Sequence, residues 1–308
     1  GPRGPPAARR GTSYLRSRFA AMAVDVVSLP VAPDTTLSVR CWAGPGRPFL
    51  LVHGLASNAL LWDEVAAGLV AAGHPVYAVD LRSHGESSSP PGGYDTATAA
   101  ADVAAVADAL RERAGGWPSG AVVAGQSWGG NVVVRLAAER PDVVGALALL
   151  DGGWIDLAAK FDSWEACAKV LRPPKLDGVR AGYLRASLAG QHRDWSPAAI
   201  EATLANLRVG QDGELSRRLA IPHHMAILRS MFDDPPHRFY PALTMPALLM
   251  PAIPDADPDR AARVRAQVKA AAAAMPRATI REYVGADHDL HAQHPDRVAA
   301  DLLTLAAS

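Results

Sequence analysis

Between Asp25 and Ser308, short apolar runs alternate with stretches in which apolar residues recur every three or four positions. The runs predict strands at Asp25–Val31, Leu37–Trp42, Phe49–His53, Pro75–Asp80, Ala121–Gln126, Ala146–Asp151, Ala247–Met250 and Thr279–Val284. Phe49–Val52 and Ala146–Leu150 are apolar without alternation, as expected of central strands covered on both faces. Between the runs, Leu61/Val65/Leu69, Val103/Val106/Leu110, Val132/Val133/Leu136, Val264/Val268/Met275 and Val298/Leu302/Leu305 form helical stripes. The pattern predicts an α/β fold, a mostly parallel eight-stranded sheet flanked by helices.

From about Gly152 to Tyr240 the alternation stops. Ser196-Pro197 supplies an N-cap and a proline at the first helical position, Ile200, Leu204 and Leu207 form a stripe, and His223–Phe232 reads as another helix. The expected organisation is a core of residues 24–151 and 241–308, with 152–240 inserted as a helical lid over the sheet's carboxyl edge. Residues 1–23 carry five arginines before the first acid, Asp25, and read as a flexible N-terminal arm. Its apolar run from Phe19 to Val24 is too short for a secretory h-region, so a cytoplasmic location is expected.

Composition narrows the function. With 308 residues, 49% hydrophobic and 20% charged, the chain can bury a core. Its 31 basic and 31 acidic side chains balance, which argues against a nucleic-acid partner. Apolar runs such as Ala146–Leu150 and Ala270–Met275 fall far short of the roughly 20 residues of a membrane span. Cys41 and Cys167 belong to no C-x-x-C pair and read as free thiols, with a single disulfide as the alternative. No zinc-type spacing occurs, and neither metal nor cofactor is expected.

The strongest chemical signal is Gly125-Gln126-Ser127-Trp128-Gly129, a G-x-S-x-G between an apolar run and a helical stripe. In such a turn the serine is strained, its hydroxyl is presented outward, and the helix N-terminus behind it favours developing negative charge. A serine hydroxyl is a weak nucleophile near neutral pH and needs a base, itself oriented by a carboxylate.

With these residues in view, the chain from Asp25 onward resembles the α/β-hydrolase family. His53-Gly54 is similar to the family's oxyanion loop, which implies that the backbone amides of Leu55 and Trp128 form the oxyanion hole. His53 itself reads as a loop-fixing group. Asp80-Leu81-Arg82-Ser83-His84-Gly85-Glu86-Ser87 resembles the D-x-R-G-x-G-x-S loop, with Ser83 in place of glycine and no catalytic role. Val284-Gly285-Ala286-Asp287-His288 resembles the segment that carries the base, which implies His288; Asp287 stands where a second glycine is common. His291 and His294 are weaker candidates. In Gly-x-x-Asp register after the seventh strand, Ala252 replaces glycine and Asp255 is the implied acid; Asp257 and Asp151 remain alternatives.

The resemblance implies a cofactor-independent serine hydrolase that cleaves a carboxylic ester or lactone of an apolar small molecule through an acyl-enzyme on Ser127. An aminopeptidase or amidase, a carbon–carbon bond hydrolase, and a non-catalytic ligand-binding homologue are the alternatives. Trp154, Trp164, Trp195 and Met225 are candidates to wall a substrate pocket, together with Phe161 and Met231. Packing of the insertion is the competing reading for each. His192, His223 and His224 have no assigned role.

Overall fold

Runs that are apolar at every position become strands hidden on both faces, and the computed structural model of the chain, which describes residues 23–308, is organised around them. Apart from Ala23, the predicted arm lies outside the described residues. In chain order the strands are β1 (Asp25–Ala32), β2 (Thr35–Trp42), β3 (Phe49–Val52), β4 (Val76–Val79), β5 (Ala121–Gln126) and β6 (Val144–Leu150). They continue with β7 (Leu207–Val209), β8 (Leu215–Arg217), β9 (Ala247–Met250), β10 (Ala252–Ile253), β11 (Ala278–Ile280) and β12 (Tyr283–Val284). The main sheet has eight strands in the order β1-β2-β4-β3-β5-β6-β9-β11. β2 runs antiparallel to both β1 and β4, and the remaining neighbours are parallel.

Helices α1 (Asp63–Ala71), α2 (Thr96–Arg113) and α3 (Trp128–Glu139) follow β3, β4 and β5. Between β6 and β9 the chain forms α4 (Leu157–Lys160), α5 (Trp164–Leu171), α6 (Ala181–Gln191), α7 (Pro197–Leu204), the β7–β8 hairpin and α8 (Ile221–Asp233). It then closes with α9 (Pro258–Ala273), α10 (Leu290–Gln293) and α11 (Pro295–Ala306). The stripe residues Val103, Val106, Leu110, Val132, Val133 and Leu136 are buried on one side of the sheet, and Val65, Leu69, Val298 and Leu302 on the other. Ser196 caps α7 by accepting from the Ala199 amide, with Pro197 in its first turn. No helix among the described residues is long and apolar enough to cross a membrane.

The eighth predicted strand divides. Ala278–Ile280 pairs with β9, whereas Tyr283–Val284 pairs with β10 in a separate two-stranded sheet. The break falls at Arg281-Glu282, whose side chains turn to other partners: Arg281 reaches Asp301 at 2.7 Å and Glu282 pairs with Arg265. Cys41 and Cys167 are both free thiols.

One charged pair is buried in the core. Arg82 donates to both carboxylate oxygens of Asp102, at 2.6 and 2.8 Å, and both side chains are almost wholly covered. Removing one partner leaves an uncompensated buried charge, so Asp102→Ala is expected to destabilise the fold by about 3–5 kcal/mol in urea unfolding. Replacing both residues by apolar ones of similar size is expected to cost much less.

Candidate active site

β5 ends at Gln126, and the next residue turns the chain into α3. Ser127 sits there at φ 53° and ψ −125°, a strained conformation for a residue with a side chain. Its hydroxyl makes no capping bond to α3, although Ser127 is the residue at the N-cap. Glycine is needed two residues on, at Gly129, because a Cβ there would stand 2.4 Å from the His53 carbonyl oxygen.

The neighbouring strands end in register with this turn. Gln126 is opposite Leu150, so Asp151, the residue after β6, emerges beside Ser127. The following Gly152 packs so tightly on Ser127 that a Cβ would lie 2.1 Å from the Ser127 carbonyl oxygen. Asp151 is itself held at φ 42°. One of its carboxylate oxygens accepts from the Ala252 amide at 3.0 Å, and the other meets His288 Nδ1 at 2.5 Å. A carboxylate only accepts, so in the neutral ring Nδ1 carries the proton and Nε2 is the basic nitrogen. Burial pushes the His288 pKa down, but the hydrogen bond and charge of Asp151 outweigh it, and the net shift is upward from about 6.5.

This geometry corrects the expectation for the acid. Asp255 is exposed, its carboxylate lies over Gly285, and among the described residues it makes no hydrogen bond to His288. The cause is the short parallel pairing of β10 with β12: it carries the chain past the site before Asp255 is reached, while Asp151 has already captured the Ala252 amide. Asp257 caps α9 through the Arg260 amide. Gly152, directly after Asp151, is the sequence signal for this placement, since only a residue without a side chain can lie against the serine turn. No hydrogen bond joins Ser127 to His288 among the described residues. Their segments are connected by the Gln126 amide, which donates to the His288 carbonyl at 3.2 Å.

β3 also ends in register, with Val52 opposite Gly125, which places Gly54 against the Gln126 and Ser127 side chains. Neither the Leu55 nor the Trp128 amide has an acceptor among the described residues. His53 is fully buried and uncharged, its pKa lowered by burial to about 4; it accepts from the Leu81 amide and donates to the Gly54 carbonyl. His84, from a loop to which the sequence assigned no chemistry, accepts from the Ala56 amide at 3.1 Å and donates to the Arg82 carbonyl. Two neutral histidines thus fix the shape of the Gly54–Ala56 segment. His291 is buried against Trp62, with ring centroids 4.4 Å apart, and burial keeps it uncharged, at about 3. His294 flanks α11.

The four aromatic and methionine candidates are placed differently from one another. Trp154 is buried in the core cluster, Trp164 packs edge-on to Phe232 beneath Arg229, and Met225 is partly buried against the same cluster. All three pack against core residues, and Trp154 also lines a cavity with Asp156, Pro236, Tyr240 and Gln267. Trp195 lies by His288's neighbour: its indole nitrogen donates to Asp287 at 2.9 Å, and the stacked His192 ring meets the same carboxylate oxygen at 2.9 Å. Gln293 accepts from the Asp287 amide and donates to Asp194. The residue that departs from the family glycine thus ties the α6–α7 corner to the His288 loop. Asp287→Gly is expected to lower stability by about 1–2 kcal/mol and to change Trp195 fluorescence in urea unfolding, with Asp287→Asn, which keeps an acceptor, losing less.

Comparison with known proteins agrees with this architecture. The sequence model described as the alpha/beta hydrolase family matches residues 49–301. Esterase Rv0045c of Mycobacterium tuberculosis is 40% identical over 116 residues, covering 37% of this chain and 36% of its own. Lipase LipV of the same organism is 34% identical over 182 residues, 58% of this chain and 64% of its own. The matches thus span less than two thirds of either relative's length. The crystal structure of E-2-(acetamidomethylene)succinate hydrolase superimposes with a TM-score of 0.73 at 22% identity, covering 93% of this chain and 100% of that one. With the family match running through most of the sheet and its helices, this chain belongs to the alpha/beta hydrolase family.

Proposed function

We propose that the protein is a serine hydrolase of small carboxylic esters or lactones, with Ser127 as nucleophile, His288 as base and Asp151 as the orienting acid. The observation that carries this reading is the strained serine at the N-terminus of α3 beside the Asp151–His288 pair. The esterase and lipase names of two partial relatives support it. The insertion 152–240 acts as a lid that contributes the surface facing the substrate.

In this scheme Ser127 Oγ attacks the carbonyl carbon while His288 Nε2 takes its proton. The Leu55 and Trp128 amides hold the oxyanion, and Asp151 stabilises the imidazolium without taking the proton itself. His288 then protonates the leaving alcohol, and water, deprotonated by the same nitrogen, releases the acid and restores the serine. Three of the aromatic and methionine candidates are engaged in packing, so the proposal drops the apolar wall as a guide to substrate.

Fluorophosphonate labelling is expected at Ser127 and is expected to vanish in Ser127→Ala; an intact, folded protein that fails to label at that residue overturns the reading. Asp151→Asn is expected to lower kcat/KM for an aryl ester by about 10³–10⁴-fold. Asp255→Asn is expected to leave it within about two-fold, which separates the two acids. Activity needs neutral His288, so kcat/KM is expected to rise with pH through a midpoint above the ordinary histidine value of about 6.5. In Asp151→Asn the raising interaction is gone while burial remains, so that midpoint is expected to fall.

A further inference from the structure

A second recess adjoins the segment that carries the Leu55 amide. It is a cavity of about 40 Å³ between Ala56-Ser57, the His84-Gly85 turn, the β7–β8 hairpin and α8. A space of roughly 10–15 Å³ already admits a water, so this one takes a group of a few heavy atoms. Its polar lining is one-sided. Ser57 Oγ is buried and has no hydrogen-bond partner among the described residues. Asn206 has its carbonyl oxygen occupied by the Asn58 amide, leaving its own NH₂ as the free end. Arg217 is half-buried; it donates to the Pro174 carbonyl on its exposed side and meets no carboxylate among the described residues, and its partial burial lowers its pKa.

The other charged and titratable groups at the recess do not neutralise Arg217. Arg218 is spent on the Ala205 and Gly85 carbonyls and on Glu86. His224 is kept uncharged, at about 4, by burial and by Arg217's own charge. His84 has both ring nitrogens engaged. No aspartate or glutamate lines the cavity. An orphaned buried hydroxyl, a residue with a free amide NH₂ and an arginine without a carboxylate partner line a space suited to a planar, two-oxygen anion, the shape that an arginine fork matches. An unpaired buried donor is costly, and a ligand oxygen relieves it.

We propose that this recess is a carboxylate subsite, and that the substrate is an ester or lactone that also bears a free, ionised carboxyl group a few bonds from the scissile carbonyl. The inference rests on the hydrolase reading for its place in the reaction. The placement next to the reacting carbonyl comes from the chain: the cavity wall begins at Ala56, the residue that follows the Leu55 amide. A carboxylate seated against Arg217 would hold the reacting carbonyl by its far end, as an orienting clamp does.

The test compares the mono-4-nitrophenyl ester of succinic acid with neutral 4-nitrophenyl butyrate, using the full chain. The wild type is expected to favour the anionic ester by about 10-fold or more in kcat/KM, and Arg217→Gln to reduce that preference ratio by about 10- to 100-fold. Ser57→Ala is expected to reduce it by a smaller factor, and Arg217→Lys to retain part of it. A wild-type enzyme that turns over both esters equally overturns the proposal without any variant having to fold. Binding of succinate to Ser127→Ala protein, read by calorimetry, does not depend on turnover. Arg217-dependent binding with no hydrolysis of either ester keeps the subsite and sinks the hydrolase reading; hydrolysis without Arg217-dependent binding or preference does the reverse.

Discussion

Three parallel strands, β3, β5 and β6, end side by side, and the rest of the site depends on that shared register. The hydrogen bonds that pair Val52 with Gly125 and Gln126 with Leu150 leave Gly54, Ser127 and Asp151 as neighbours at the carboxyl edge. The residues just beyond β5 and β6, Ser127 and Asp151, leave the sheet at once through positive φ, and the chain after β3 turns with positive φ four residues on, at Ala56. Strain of this kind survives only where the surroundings over-determine it. Here the surroundings are fully buried strands beneath and glycines pressed against the serine turn above.

Around that edge, neutral histidines do structural work that charged ones could not. His53 and His84 are buried, each accepts from one backbone amide and donates to one carbonyl, and the pair fixes the segment carrying the Leu55 amide. Burial holds both below the ordinary histidine range. His288 differs because Asp151 supplies a charge to offset its burial. The same side-chain type thus takes opposite roles according to whether its partner is a backbone dipole or a carboxylate.

The insertion meets the core through polar contacts at several points. Asn58 donates to the Ala202 carbonyl and the Asn206 side chain, Ser196 to Glu64, and His192 and Trp195 share Asp287. Several of these partners flank the residues of the site: Asp287 precedes His288, and Asn58 follows the Gly54–Ser57 turn. Movement of the insertion would therefore be felt first at His288 and at the Gly54–Ser57 turn.

Hydrophobic periodicity was enough to place the eight-stranded sheet and its helices, because a strand covered on both faces has to be apolar throughout and a helix on a sheet needs one apolar stripe. It also located Ser127 at a strand-to-helix turn, since glycine spacing is a local steric requirement. The carboxylate facing His288 was not legible in the same way. Asp255 had the expected spacing in the chain, but a contact across three strands is decided by where each strand stops and which amide captures the next residue. Asp151 won that position through the β5–β6 register and the Ala252 amide. The arginine-lined recess was hidden for the same reason: Ser57 is far in sequence from Asn206 and Arg217, the three share no motif, and only the folding of the insertion onto the sheet edge gathers them around one space with the Ser57 hydroxyl left without a partner. Local sterics can be read along a chain, whereas the pairing of charges and donors depends on distances that exist only after it folds.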